Sequence, residues 1–295
     1  MGPKAPASPR LAHRERTIAP ILTCLPPAAM MIAAPIRGIA VSCEASEVIL
    51  FMSADVVGST AFKGEHSDDA GVWLGAFATL FRELPLVFMG ELGMAFLDSD
   101  TVPEAGVWKV MGDEVIFVTV PRSSEEAALA TQAFVRTVRE YDRRLAERWP
   151  LRIRGACWAA ELGARNRQID IPEMFGGTDG QPYRDFLGPD IDTGFRLSAH
   201  SGHGEVILSP NLAECIARQQ QGAPAIRFHH FADKPLKGVI AGQPFPLIIA
   251  SDIESPGSKR AVTPDGELLT HLQALRTTLQ RDHGAVLAPC LFEPA

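Results

Sequence analysis

The chain has 295 residues, 46% of them hydrophobic and 21% charged, with a net charge of −7 at pH 7 and a pI near 5.6. Such a balance describes an ordinary globule of one large or two small domains and argues against bulk, sequence-blind binding to nucleic acid, while leaving room for a local basic groove. The five cysteines (Cys24, Cys43, Cys157, Cys215, Cys290) form no CxxC and have no histidine at zinc-finger spacing, which argues against a disulfide framework or a structural zinc site and for reduced thiols in the cytoplasm.

Residues 1–16 are basic and residues 18–41 apolar, but Pro20, Pro26, Pro27 and Pro35 interrupt the apolar run, which argues against a spanning helix and stable membrane insertion. Residues 1–45 are expected to be a disordered extension or the product of a start codon set too early, with a targeting segment as the alternative. From residue 46 the pattern becomes regular. EVILFMSA (47–54) reads as a buried strand running into Asp55 and a Gly58-Ser59-Thr60 turn. Trp73, Phe77, Leu80, Phe81 and Leu84 recur at helical spacing over 67–84. VWKVMGDEVIFVTV (107–120) divides around Gly112-Asp113 and predicts a β-hairpin.

Ser123 and Glu126 form a capping box ahead of a helix to about Glu147, burying Ala127, Thr131, Phe134, Val138, Tyr141 and Leu145. Residues 151–159 alternate as a strand, and 163–184, rich in Gly, Asn, Asp, Gln and Pro, are expected to be loop, either solvated or folded over a binding site. A helix over 190–200, a strand over 205–209, a helix over 210–220 and a last strand over 244–250 follow. Residues 251–264 read as linker, and Leu268, Leu272, Leu275 and Leu279 as a helical stripe suited to packing or to a dimer face. The order is mixed α/β, with a hairpin that a purely parallel sheet lacks.

Taken singly, Asp55 and Asp113 are ordinary turn or capping residues. A strand end and a hairpin tip of one sheet can lie side by side, however, and two such carboxylates repel unless a cation intervenes. Hard ions such as Mg²⁺ or Mn²⁺ take oxygen ligands and are commonly completed by phosphate. The helix start behind Gly58, Ser59 and Thr60 offers free N–H groups to phosphate oxygens.

LFMSADVVGSTAF, WKVMGDEVIF, DFLGPDIDTGFRLSAHSGHGEVILS and LKG (236–238) stand in order between residues 47 and 250, and together they resemble the motifs of the class III nucleotide cyclases. The resemblance implies an α/β fold (an α+β sandwich) over 46–250, with a mixed sheet, flanking helices and a ferredoxin-like core, then a linker and C-terminal helix over 251–295. It implies a homodimer with active sites at the interface, and two divalent ions, Mn²⁺ or Mg²⁺, held by Asp55, Asp113 and the Val56 carbonyl. Lys109 and Asp185 would read the base from the partner subunit, Arg196 would stabilise the transferring phosphate, and Lys237 would contact phosphate. The ribose 3′-hydroxyl of a nucleoside triphosphate then attacks its own α-phosphate and expels pyrophosphate, so no covalent intermediate is needed and His66, His200 and His203 receive no role.

Asp192 stands where the family has Asn; it is read either as a structural i,i+4 partner of Arg196 or as a catalytic residue that accepts a hydrogen bond from ribose or aims Arg196, and pairing with Arg196 is expected in either case. A Lys–Asp pair can read adenine, uracil or cytosine, so hydrogen bonding leaves the base open. WKVMGDEVIF and GPDIDTGFRL look more like the pyrimidine cyclases of Pycsar antiphage systems, which implies cyclic UMP ahead of cyclic CMP or cyclic AMP, and a separate effector that the product activates. The rivals are a diguanylate cyclase, suggested by MGDEV, a receiver domain, and a catalytically silent dimeric sensor. The 185–196 motif disfavours the first, the hairpin the second, and the two aspartates with Arg196 the third.

Overall fold

Strand β1 (Val48–Val57) sets the frame because its alternating side chains serve two cores. Val48, Leu50, Met52, Ala54 and Val56 enter one; Ile49 and Phe51 enter the other, on the opposite face of the sheet. The period of two therefore carries Ser53 and Asp55 onto the second face. The computed structural model describes residues 47–163, 165–175, 182–220, 225–254 and 260–292, which belong to one compact unit. The expected extension over 1–45 and residues 255–259 of the linker lie outside them.

Helix α1 (Ser59–Glu65) follows Gly58, whose φ of 87° is a left-handed conformation that glycine adopts without strain. Helix α2 (Ala70–Ala95) outruns the expected 67–84. It continues through Pro85, which donates no backbone hydrogen bond, because Leu84, Phe88 and Leu92 are fully buried in the first core. Among the described residues it is the one helix long and apolar enough to cross a membrane, and that buried row is its packing face here.

Strands β2 (Ala105–Met111) and β3 (Glu114–Thr119) form the expected hairpin, with Gly112, at φ 67°, and Asp113 as its two-residue turn. Helix α3 (Ser124–Arg148) is capped by Ser123, which accepts from the Glu126 N–H, and all six residues expected to be buried are buried. Strand β4 (Arg152–Glu161) then pairs with β1. The neighbours β2-β3-β1-β4 are all antiparallel and the chain order is βαββαβ, so the ferredoxin-like core is present.

Residues 163–184 are not simply a loop. Strands β5 (Arg167–Phe175) and β6 (Pro182–Leu187) form a separate two-stranded sheet. The alternation in RQIDI, one side apolar and one polar, was masked by the Gly-rich stretch behind it. Helix α4 (Pro189–Leu197), β7 (Val206–Leu208) and helix α5 (Pro210–Gln219) fall where expected. Strand β8 (Ile226–Pro235) was not anticipated, since its two histidines, Lys and Asp hide a strand pattern. With β9 (Pro244–Asp252) it completes a mixed seven-stranded sheet in the order β2-β3-β1-β4-β7-β9-β8, β7 being parallel to β4.

Helix α6 (Asp265–His283) carries the leucine stripe. Leu268 and Leu272 enter the first core, Leu275 and Leu279 the second, so the stripe packs within the protomer rather than forming a dimer face. Helices thus flank both faces of the sheet, and the second face, under α4, holds the candidate site.

Candidate active site

The strand registers bring the acidic residues together. Asp55 lies opposite Glu114 of β3 on one side and Arg154 of β4 on the other, and Asp113 is the turn residue next to Glu114. Alternation turns Glu114 and Arg154 to the face that carries Asp55, because Val115 and Ile153 point into the first core. Arg154 donates to Asp55 Oδ2 through Nε at 2.9 Å and Nη2 at 2.7 Å, which leaves Oδ1 uncommitted. Ser53 donates its hydroxyl proton to Glu114. Asp113 has no hydrogen-bond or ion-pair partner among the described residues.

Burial pushes the Glu114 carboxyl above its ordinary 4.5; the Ser53 hydrogen bond opposes that, Asp55 and Asp113 push it further up, and Arg154 pulls it back. Among the described residues, then, three carboxylates share one guanidinium. The donor set is all oxygen and under-neutralised, which fits a hard divalent cation. Val56 is buried, with its side chain in the first core, so only its backbone is available to such an ion.

A second group lies across the same face. Lys109 Nζ donates to Asp185 Oδ1 at 2.6 Å, both side chains being about four-fifths buried. The ammonium sits 4.2 Å from the Trp108 ring centroid and 5.7 Å from that of Tyr183. Trp108 Nε1 donates to the Arg184 carbonyl at 3.1 Å, tying β2 to β6. The hairpin of β5 and β6 is therefore what delivers Asp185 to Lys109. Lys109 lies on β2, which ends at Met111, whereas Asp113 is in the turn that follows it.

Helix α4 supplies the third group. Asp192 and Arg196 are both exposed on one side of it, and no ion pair joins them, contrary to expectation. Both line a cavity of about 360 Å³ whose far walls are Gly238, Val239 and the segment after α6. Lys237, beside that cavity, is exposed. The N-terminus of α4 is fixed by Asp190, which accepts from Arg165 (2.8 and 3.2 Å) and from Asn166 Nδ2 (2.8 Å). Beneath α4, Gly194 lies against the ring of Trp158, which stacks on Phe51 at 5.4 Å and 5°. No hydrogen bond or ion pair links Arg196 to Asp55 or Asp113 within the protomer.

Gly58, Ser59 and Thr60 sit directly beyond the Asp55 end of β1, Ser59 buried and Thr60 exposed. Sequence reasoning missed Arg154, Glu114 and the Arg165–Asn166–Asp190 clasp. The alternation in LRIRGAC placed Arg154 opposite Ile153, and Glu114 is the neighbour of Asp113, so both carried a signal; the clasp depends on the fold of β5. Burial pushes the Cys157 thiol well up and raises that of Cys215 to about 12, which keeps both protonated.

No family model matches the sequence, and no curated protein matches it either. Among solved structures, the adenylyl cyclase CyaB of P. aeruginosa has a TM-score of 0.49 at 15% identity, covering 74% of this chain and 98% of that one. The guanylate cyclase domain of RhGC from Catenaria anguillulae, solved with GTP, has a TM-score of 0.49 at 12% identity, covering 70% and 97%. An adenylate cyclase of Trypanosoma brucei, solved as a monomer, has a TM-score of 0.47 at 15% identity, covering 73% and 95%.

Proposed function

We propose that this chain is a metal-dependent nucleotidyl cyclase, converting a ribonucleoside triphosphate to a 3′,5′-cyclic nucleotide and pyrophosphate. One observation carries the reading: Asp55, Asp113 and Glu114 converge where β1 ends beside the β2–β3 turn, with Asp55 Oδ1 and the whole Asp113 carboxylate uncommitted among the described residues. Asp55, Asp113 and the Val56 carbonyl would hold Mn²⁺ or Mg²⁺ ions. When bound, these supply a lowered pKa for the ribose 3′-hydroxyl and neutralisation of the leaving pyrophosphate. Arg154 is free to exchange Asp55 for triphosphate once the carboxylate turns to a cation. Gly58, Ser59, Thr60 and Lys237 would contact phosphate.

The Lys109–Asp185 pair, gripped by Trp108 and Tyr183, is suited to orienting a base edge so that ribose and α-phosphate meet in line. Arg196 is exposed and has no hydrogen-bond or ion-pair partner among the described residues, which suits a guanidinium that acts across a dimer interface on the phosphoryl oxygens where charge builds. The homodimer, its interfacial sites and the cytoplasmic setting belong to the same reading. For the base we favour uracil, so that UTP gives cyclic UMP as a messenger in antiphage defence. The wording of the two motifs supports this choice, and the pair itself accommodates cytosine and adenine equally.

The test is to incubate purified protein with Mn²⁺ and each of the four ribonucleoside triphosphates and identify products by mass spectrometry. Cyclic UMP as main product supports the full reading. Cyclic AMP as main product removes the antiphage assignment. No cyclic product from any of them favours a silent dimeric sensor.

A further inference from the structure

Strand β8 carries one residue too many. His230 pairs with Ile248 and Ala232 with Leu247, leaving Phe231 as a bulge. In a regular strand, residues three apart face opposite sides. The extra residue turns His230 and Asp233 to the same side, where α6 presents His271. His230 Nε2 lies 2.9 Å and His271 Nε2 3.3 Å from the same oxygen, Asp233 Oδ1. The two imidazole centroids are 4.4 Å apart with a tilt of 33°, and the three candidate ligand atoms all lie within 4.8 Å of one another. The His230 N–H donates to Thr263 Oγ1 at 3.0 Å, holding the bulge in place.

One carboxylate oxygen gathers a nitrogen from each of two rings, their centroids 4.4 Å apart, so three potential ligand atoms converge on one point. A tetrahedral ion with bonds of about 2.0–2.1 Å sets its ligand atoms roughly 3.3–3.4 Å apart; the two histidine nitrogens stand 2.9 and 3.3 Å from the carboxylate oxygen and within 4.8 Å of each other, so small side-chain rotations reach that spacing. Two imidazole nitrogens and one carboxylate oxygen are borderline-soft donors, unlike the all-oxygen edge at Asp55 and Asp113. The three side chains are 21–32% exposed, which leaves a path for an ion and a place for water.

We propose that His230, Asp233 and His271 bind one divalent transition-metal ion of the zinc class, with water as fourth ligand, fastening α6 to β8. The cysteine pattern gave no hint of it, because no cysteine takes part. The ion would sit at the start of the connection that carries Lys237, and the proposal does not depend on the cyclase reading.

The experiment titrates the metal-free full chain with Co²⁺ alone and follows the intense visible bands of tetrahedral cobalt, then displaces it with Zn²⁺. The expected result is a tetrahedral signal that survives Asp55→Asn and is lost, or weakened at least about tenfold in affinity, by His271→Ala and His230→Ala. Zn²⁺ at about a hundred times its dissociation constant should raise the wild-type melting temperature by roughly 5 °C or more and leave the His271→Ala variant unmoved. His271→Gln keeps a hydrogen-bond donor for Asp233 and serves where the alanine variant is unfolded by circular dichroism. No tetrahedral signal from folded wild type, or an unchanged affinity in the histidine variants, overturns the proposal.

Discussion

Gly194→Ala tests whether α4 must lie where it does. A Cβ at residue 194 would stand 2.1 Å from Trp158 Cδ2, 2.2 Å from Cγ and 2.3 Å from Cε2, whereas ordinary contact begins near 3.4 Å. The shortfall is about 1.3 Å. Trp158 is not free to supply it: the ring is fully buried, stacked on Phe51 and packed against Phe195 at 5.2 Å. The helix must therefore lift, and it carries Arg196 two residues further on. Overpacking of this kind costs about 1–3 kcal/mol, or roughly 2–12 °C in melting temperature for a domain of this size. A displacement of about 1 Å in a positioning element can cost on the order of 100-fold in rate. Differential scanning fluorimetry and an assay of the proposed cyclase activity read the two effects. Trp158→Leu, which makes room, should rescue part of the loss when combined with Gly194→Ala, a coupling that a double-mutant cycle measures. If Gly194→Ala runs within twofold of wild type and melts at the same temperature, the close packing of α4 on Trp158 does not position the site.

Three further outcomes are expected. Arg196→Ala should lose nearly all activity, whereas Asp192→Asn should keep a substantial part, since no ion pair binds the two; equal tolerance in steady-state kinetics removes α4 from the mechanism. Asp185→Asn should break the pair with Lys109 and relax base choice by about 10–100-fold, read as the ratio of kcat/KM across the four triphosphates, and an unchanged ratio would place base reading elsewhere. Because the Glu114 pKa is raised on folding, the native state holds more protons than the unfolded one from the ordinary 4.5 up to the raised value. The stability of the metal-free protein should therefore fall as pH rises through that window and level off above it. Glu114→Gln, which can still accept from Ser53, should flatten that slope in urea melts run with a chelator; a slope that persists assigns the titration to another group.

The sequence alone determined those features whose physics is local. The alternation of β1, the Gly112-Asp113 turn, the Ser123 cap and the buried face of α3 follow from neighbours along the chain, and each is found in the structure. So does the presence of two aspartates at chain positions that one end of a sheet can bring together. It missed β8, whose polar side chains hide the strand, and it took the β5–β6 hairpin for loop, because those strands are held by each other more than by any apolar run. Only the tertiary structure decided which groups meet. Register set Arg154 against Asp55, the β5–β6 hairpin carried Asp185 to Lys109, and a single bulged residue turned His230 and Asp233 toward His271. Contacts of that kind join residues 3 to 99 positions apart, and their existence depends on strand pairing that no local pattern encodes.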